Sequence, residues 1–129
     1  MKRSFIDANV LIEVLMNRLL SAQCLEILND TSRQYGISVL TVHIVWYIAE
    51  KYKLEQAKVD DMLSPWEVLP ISGATIKAAR GRYDGKDFED CIQAVCAEEG
   101  EYDEIVTIDK NFQKHSDTKL HVSVVSQSS

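Results

Sequence analysis

Apolar positions recur along the chain in two alternating rhythms. Phe5-Ile6 is a short apolar run ending at Asp7, and the stretch Ala8-Asn9-Val10-Leu11-Ile12-Glu13-Val14-Leu15-Met16 repeats its apolar residues at helical spacing. Asp7 therefore falls where a strand hands over to a helix, a place from which a carboxylate can cap the free N–H groups of the first turn. A second helix is predicted from about Leu20 to Leu28, with Leu20, Cys24, Ile27 and Leu28 on one face. Tyr35-Gly36-Ile37-Ser38 reads as a short strand, residues 42–51 after Thr41 as a strongly apolar helix, and residues 59–63 as a short helix stopped by Ser64-Pro65. Trp66-Glu67-Val68-Leu69 alternates like a strand that Pro70 closes, and residues 74–79 suit a small amphipathic helix. Tyr83-Asp84-Gly85-Lys86 is a turn, and Asp87-Phe88-Glu89-Asp90 opens a helix running through Ala97. Residues 104–108 form the clearest strand, ending at Asp109, and residues 121–125 a last one. Strands alternating with helices predict an α/β fold, a three-layer α/β/α sandwich around a mainly parallel sheet.

Composition narrows the class. The 129 residues are 46% hydrophobic and 26% charged with only 5 Gly and 2 Pro, so the expectation is a single domain over 1–129 with its core at about 4–125. A chain of this size buries roughly 65–70% of its unfolded surface and needs no disulfides. No apolar run approaches the roughly 18 residues of a membrane span, and Met1-Lys2-Arg3-Ser4-Phe5 leads directly into a strand. Cys24, Cys91 and Cys96 are odd in number, match no zinc spacing and lie in apolar helical settings. These features predict free buried thiols and a cytoplasmic location.

Charge is unevenly placed. Twenty acids against fourteen bases give −6, yet residues 84–117 alone hold eleven acids and only Lys86, Lys110 and Lys114 as bases. A solvated acidic face explains such a run, and so does a group of acids converging on a hard cation. Asp7 follows the first strand, Asp109 the fourth, and Asp87, Glu89 and Asp90 occupy the start of a helix. Ligands gather at the carboxyl ends of strands in open parallel sheets, so these acids can meet there. Carboxylates brought close repel and take up a proton unless a cation lies between them. Oxygen donors suit Mg²⁺ or Mn²⁺, which can generate a hydroxide nucleophile against a phosphodiester. Each acid also has a purely structural role open to it, Asp7, Asp87 and Asp90 at helix ends and Asp109 in a turn.

Three strings bear on that choice. Phe5-Ile6-Asp7-Ala8-Asn9-Val10-Leu11-Ile12 resembles the opening of PIN-domain proteins, Asp87-Phe88-Glu89-Asp90-Cys91-Ile92-Gln93-Ala94 their third-acid helix, and Ile105-Val106-Thr107-Ile108-Asp109-Lys110-Asn111-Phe112 their closing motif. The resemblance spans about residues 4–125. It implies a metal-dependent ribonuclease, often the toxin of a bacterial toxin–antitoxin pair of the VapC type. The positions matching the family's Mg²⁺ or Mn²⁺ ligands are Asp7, Asp90 and Asp109, with Thr107 at the site's edge and Asn9 bracing Asp7. The family's second acid falls on Ile44, a departure; Glu13, Asp87 or Glu89 then completes the shell, or the centre binds metal poorly.

Arg18, Lys77, Arg80 and Arg82 are the candidates for gripping an RNA backbone. The negative total favours an antitoxin partner with a basic segment over the site, and the apolar early helices favour a homodimer or higher homo-oligomer. His43 reads as a core or supporting residue near the cleft, and His115 and His121 as surface and strand positions. Trp46, Tyr47 and Tyr52 fit helix packing or self-association. The leading expectation is an endoribonuclease cutting single-stranded RNA with metal-activated water, Asp7, Asp90, Asp109 and Glu89 carrying catalysis. A metal-deficient PIN module that binds RNA or protein is the alternative. A phosphatase or receiver-like protein with a nucleophilic Asp7 ranks last, since Asn9 stands where a second Asp is wanted.

Overall fold

The computed structural model describes residues 1–127. Five strands, β1 (Lys2–Ile6), β2 (Arg33–Ser38), β3 (Glu67–Leu69), β4 (Glu104–Thr107) and β5 (His121–Val124), form one sheet in the order β3-β2-β1-β4-β5. Every pairing is parallel, with Phe5 opposite both Gly36 and Ile105. Among the described residues, seven helices accompany them: α1 (Ala8–Leu15), α2 (Ser21–Leu28), α3 (Val39–Lys51), α4 (Gln56–Leu63), α5 (Gly73–Arg82), α6 (Phe88–Glu99) and α7 (Phe112–Ser116).

Strand alternation sorts the core into two layers. Ile6 and Val106 face one side, packed with Val10, Leu11, Val45 and Val59 of α1, α3 and α4. Phe5 and Ile105 face the other, packed with Ala94 and Ala97 of α6 and Phe112 of α7. The expected three-layer sandwich is what forms. Cys24, Cys91 and Cys96 are free and buried as expected, and burial raises the thiols of Cys24 and Cys96 to about 11 and about 12.

Several elements outrun their apolar signal. β1 and β2 begin at Lys2 and Arg33 because their polar ends converge on the buried Glu104 of β4. α3 begins at Val39, three residues earlier than the pattern suggests, because the Ser38 hydroxyl accepts the Thr41 N–H as a cap. α5 runs past residue 79 to Arg82. Ser72 and Thr75 form a capping box at its start, and its polar residues bind α6 through Thr75–Glu99 and Arg82–Glu98 contacts. α7, where the apolar pattern predicts no element, is a five-residue helix anchored by the fully buried ring of Phe112 at its start.

The strand order places the site. β1 is central, β2 lies on one side and β4 on the other, so the chain changes direction across the sheet between β1 and β4. Ligands bind at such a switch, outside the carboxyl ends of the strands. Asp7 and Asp109 follow those two ends, and the Asp7 N–H donates to the Val106 carbonyl at 2.9 Å.

Candidate metal centre

Asp7 is buried at the N-terminus of α1. One carboxylate oxygen, Oδ1, accepts the Ala8 N–H at 2.9 Å, and Oδ2 accepts the Thr107 hydroxyl at 2.8 Å. That hydroxyl is also an acceptor, for the Asn9 amide at 3.2 Å and the Asp109 N–H at 3.1 Å. Asn9 Oδ1 in turn accepts the Ile108 N–H at 3.3 Å. Thr107 is thus the knot joining the start of α1 to the turn after β4. Asn9 braces that turn and is linked to Asp7 through the Thr107 hydroxyl.

Asp87, Asp90 and Asp109 come together beside this knot. Asp84-Gly85-Lys86 forms a turn in which the Lys86 N–H donates to Asp84 Oδ1, and Gly85 takes φ +99. The chain then enters Asp87 with φ +47, a left-handed conformation that Asp adopts more readily than most residues. From there Asp87 caps α6 by accepting the Asp90 N–H at 3.2 Å. Asp90 is 4% exposed, one helical turn inside. Asp109 is held by its own turn, Oδ1 accepting the Asn111 N–H at 2.9 Å. One donor atom from each of Asp87, Asp90, Asp109 and His115 lies within 4.8 Å of the other three.

The electrostatics are those of a site short of positive charge. Burial, then the repulsion of Asp7 and Asp87, raises the Asp90 carboxyl to about 9, with the nearby Asp109 and Asp87 carboxyls favouring its protonated form. Burial also raises Asp7, to about 7, against the opposing Thr107 hydrogen bond and with Glu89 and Asp87 adding repulsion. Glu89 is shifted upward too, by lost solvent and then by Asp87. Asp90 Oδ2 is buried without a hydrogen-bond partner among the described residues. A buried acceptor left unpaired is costly, and a divalent ion removes that cost while restoring the ionised forms. The donor set therefore fits a small divalent cation.

The structure brings some of the expected site residues together and leaves others apart. Asp90 and Asp109, expected as ligands, lie together with Asp87, expected in a supporting place, one donor atom of each within 4.8 Å of the others. Asp7 lies outside the group of four, with both its oxygens already hydrogen-bonded, and acts on Asp90 through its charge. Glu13 is buried but accepts the Leu20 N–H at 2.8 Å, which ties the α1–α2 connection together. Ile44 is half-buried on α3. Just before it, Ser38, Thr41 and Gln93 form a buried polar triad, Ser38 Oγ to Gln93 Oε1 at 2.7 Å and Gln93 Nε2 to Thr41 Oγ at 2.9 Å. The triad fastens α6 to the start of α3.

Among the basic candidates, Arg18, Lys77 and Arg80 are exposed. Arg82 is not free in that way: its guanidinium pairs with Glu98, one bond measuring 2.7 Å, and reaches the Ser116 carbonyl at 3.5 Å. It joins α5, α6 and α7 instead of offering a phosphate contact. His43 is exposed, contrary to the core or supporting role expected for it. His115 is half-buried against Asp90, contrary to its reading as a surface position. The signal that could have found it is Asp109 followed six residues later by a His, with buried Phe112 forcing a helical turn between. Two surface hollows lie elsewhere, about 580 Å³ beside Arg3, Tyr35 and Trp66 and about 710 Å³ between α1, α2 and α4.

Residues 4–117 match the model of the PIN domain. The chain belongs to the PIN-domain family. Solved structures agree in fold. A toxin–antitoxin complex from Klebsiella pneumoniae contains a chain 24% identical, with TM-score 0.73, the match covering 97% of this chain and 99% of that one. The DNA-bound VapBC of Salmonella typhimurium is 19% identical with TM-score 0.67, covering 98% and 100%. VapBC2 from Rickettsia felis, bound to a DNA fragment from its promoter, is 19% identical with TM-score 0.66, covering 93% and 98%. No curated protein matches the chain. Among the described residues, no helix of this PIN domain is long and apolar enough to cross a membrane.

Proposed function

We propose that this PIN domain is a Mg²⁺- or Mn²⁺-dependent endoribonuclease acting on single-stranded RNA, and the toxin of a toxin–antitoxin pair. The observation that carries the reading is the buried, unpartnered Asp90 Oδ2 among Asp87 and Asp109 at the carboxyl edge of the sheet. Asp90 and Asp109, with Asp87, would hold the ion, and Asp7 supplies negative potential from behind. A bound divalent ion supplies an acidified water and neutralises charge on a phosphodiester. The chain's own part is to orient. Thr107 and Asn9 set the angle between Asp7 and the Asp109 turn, and the exposed Glu89 stands at the rim to accept a proton from an attacking water. Lys77 and Arg80, on α5, are exposed for the RNA backbone, with Arg18 on the α1–α2 connection.

The toxin assignment is supported by the toxin–antitoxin complexes among the structural relatives and by the acidic run, which suits a basic antitoxin segment. Self-association belongs to the same proposal. Val39, Tyr47 and Tyr52 are exposed apolar positions on and after α3, while Trp46 packs into the core. A cytoplasmic setting is the one in which the three free thiols stay reduced.

The test is manganese-dependent cleavage of unstructured RNA by the purified chain. The proposal expects activity in the wild type and its loss in Asp90→Asn and Asp109→Asn; cleavage that survives both substitutions sinks it. Ile44 at the usual second-acid position favours one other reading, a PIN module that binds without cutting. Calorimetry separates them, since a non-cutting module with a defective centre takes up no Mn²⁺ at millimolar concentration.

A further inference from the structure

Six residues after Asp109, the chain has turned through α7 and returned His115 to the acids. Two anchors fix that return. Phe112 is fully buried with its N–H on the Asp109 carbonyl at 3.1 Å, and the Cys91 thiol of α6 donates to the His115 carbonyl at 3.3 Å. The imidazole is thereby brought to the same face of α6 as Asp90, with Nδ1 3.8 Å from Asp90 Oδ2. Neither atom is exposed, and neither has a hydrogen-bond partner among the described residues.

The separation is informative. A hydrogen bond between the two would measure about 2.7–3.2 Å. Two donors on one small divalent ion at ~2.1 Å are ~3.0 Å apart when adjacent and ~4.2 Å when opposite. At 3.8 Å the pair is too wide for a direct bond and within the span of two ligands to a common ion. A neutral imidazole offers a lone pair at Nδ1 when Nε2 carries the proton. Asp90 itself is more than nine-tenths buried, so its free oxygen has little access to water as a substitute partner.

We infer that His115 is a nitrogen ligand to the divalent ion held by Asp87, Asp90 and Asp109, and that it biases this centre from Mg²⁺ toward Mn²⁺. The inference rests on the metal centre proposed above and adds a donor that the sequence strings do not contain. Mg²⁺ takes oxygen ligands almost exclusively and keeps its waters, whereas the later divalent ions accept imidazole readily. A centre of three carboxylates and one imidazole thus discriminates between ions that an all-oxygen centre treats more alike.

The experiment measures metal binding on the purified chain, without RNA. Calorimetry with Mn²⁺ and with Mg²⁺ is run on wild type, His115→Ala and His115→Gln, each checked for folding by thermal melting. Mn²⁺ affinity is expected to fall ~10-fold or more in both variants, with Mg²⁺ affinity changing less than ~2-fold. Electron spin-echo spectroscopy of bound Mn²⁺ gives the direct readout: a nitrogen coupling in the wild type that disappears in His115→Gln. Mn²⁺ bound to the wild type with no nitrogen coupling, and equally tightly in His115→Gln, overturns the histidine ligand and leaves the carboxylate centre standing. Failure of the wild type to bind Mn²⁺, or undiminished binding in Asp90→Asn/Asp109→Asn, overturns the centre itself.

Discussion

The two edges of the sheet both bury acids, and they treat them oppositely. At the amino edge, Glu104 is 1% exposed and fully answered by the chain. It takes Lys2 at 3.2 Å, Arg33 at 2.7 Å and the Ser4 hydroxyl at 2.6 Å. Close by, Arg3 reaches Glu67 at 3.3 Å and lies 4.3 Å from the centre of the Tyr102 ring. At the carboxyl edge, Asp87, Asp90 and Asp109 converge, and among the described residues none of the three forms an ion pair with a Lys or Arg. A buried carboxylate given its own cation is architecture; a cluster denied one holds protons or could take a cation from solution. The −6 total conceals this division, because Lys2 and Arg33 of β1 and β2 pair with the buried acid of one edge.

The sharpest way to break this contrast is to remove one acid from each edge. Asp90→Asn is expected to reduce manganese-dependent RNA cleavage by ~10²-fold or more while leaving the fold intact, as read by single-turnover kinetics. Glu104→Gln should do the reverse. It leaves Arg33 and Lys2 without their counter-charge and lowers unfolding free energy by about 3 kcal/mol in denaturant melts, with Mn²⁺ affinity unchanged.

The pH dependence of metal-free stability follows from the same imbalance. Asp7 and Asp90 are raised from an ordinary 3.8 to about 7 and about 9. The folded state therefore holds protons that the unfolded chain has released, and stability falls as pH rises from about 4 through those values. Melting temperature without metal should drop between pH 5 and pH 9, saturating Mn²⁺ should reduce the drop, and Asp90→Asn should leave only the part through about pH 7 that Asp7 contributes. A metal-free melting temperature that climbs across this range contradicts the assigned crowding.

Two smaller effects sharpen the comparison. A Cβ on Gly36 would meet the Tyr102 hydroxyl at 2.0 Å, so Gly36→Ala is expected to destabilise the amino edge by about 1–3 kcal/mol without touching metal affinity. Lys77→Ala with Arg80→Ala should weaken RNA binding only a few-fold, and less at high salt, because each exposed base contributes one screened phosphate contact.

Much of this organisation is legible without coordinates. Phe5-Ile6-Asp7 marks a strand that ends in an acid, the apolar run before Asp109 marks another, and Asp87 to Asp90 carries the signs of a helix start. Those are local facts, set by the spacing of apolar residues and by what caps a helix, so the alternation of strands and helices and the PIN resemblance could be read from them. The extents of β1, β2 and α5 could not. Their polar ends are held by partners distant in the chain, Glu104 for Lys2 and Arg33, Glu98 for Arg82.

The same division separates the acids from their arrangement. That Asp7, Asp87, Asp90 and Asp109 sit at element ends was determined by the sequence alone. Only the tertiary structure decided that Thr107 links Asp7 to Asp109, that Asp87 enters α6 through a left-handed backbone, and that His115 returns to face Asp90. The reason is physical: hydrophobic periodicity reports which face of an element is buried, whereas a convergence of donor atoms depends on which strands are neighbours. The placement of β4 beside β1, about a hundred residues apart in the chain, is a property of the whole packed sheet.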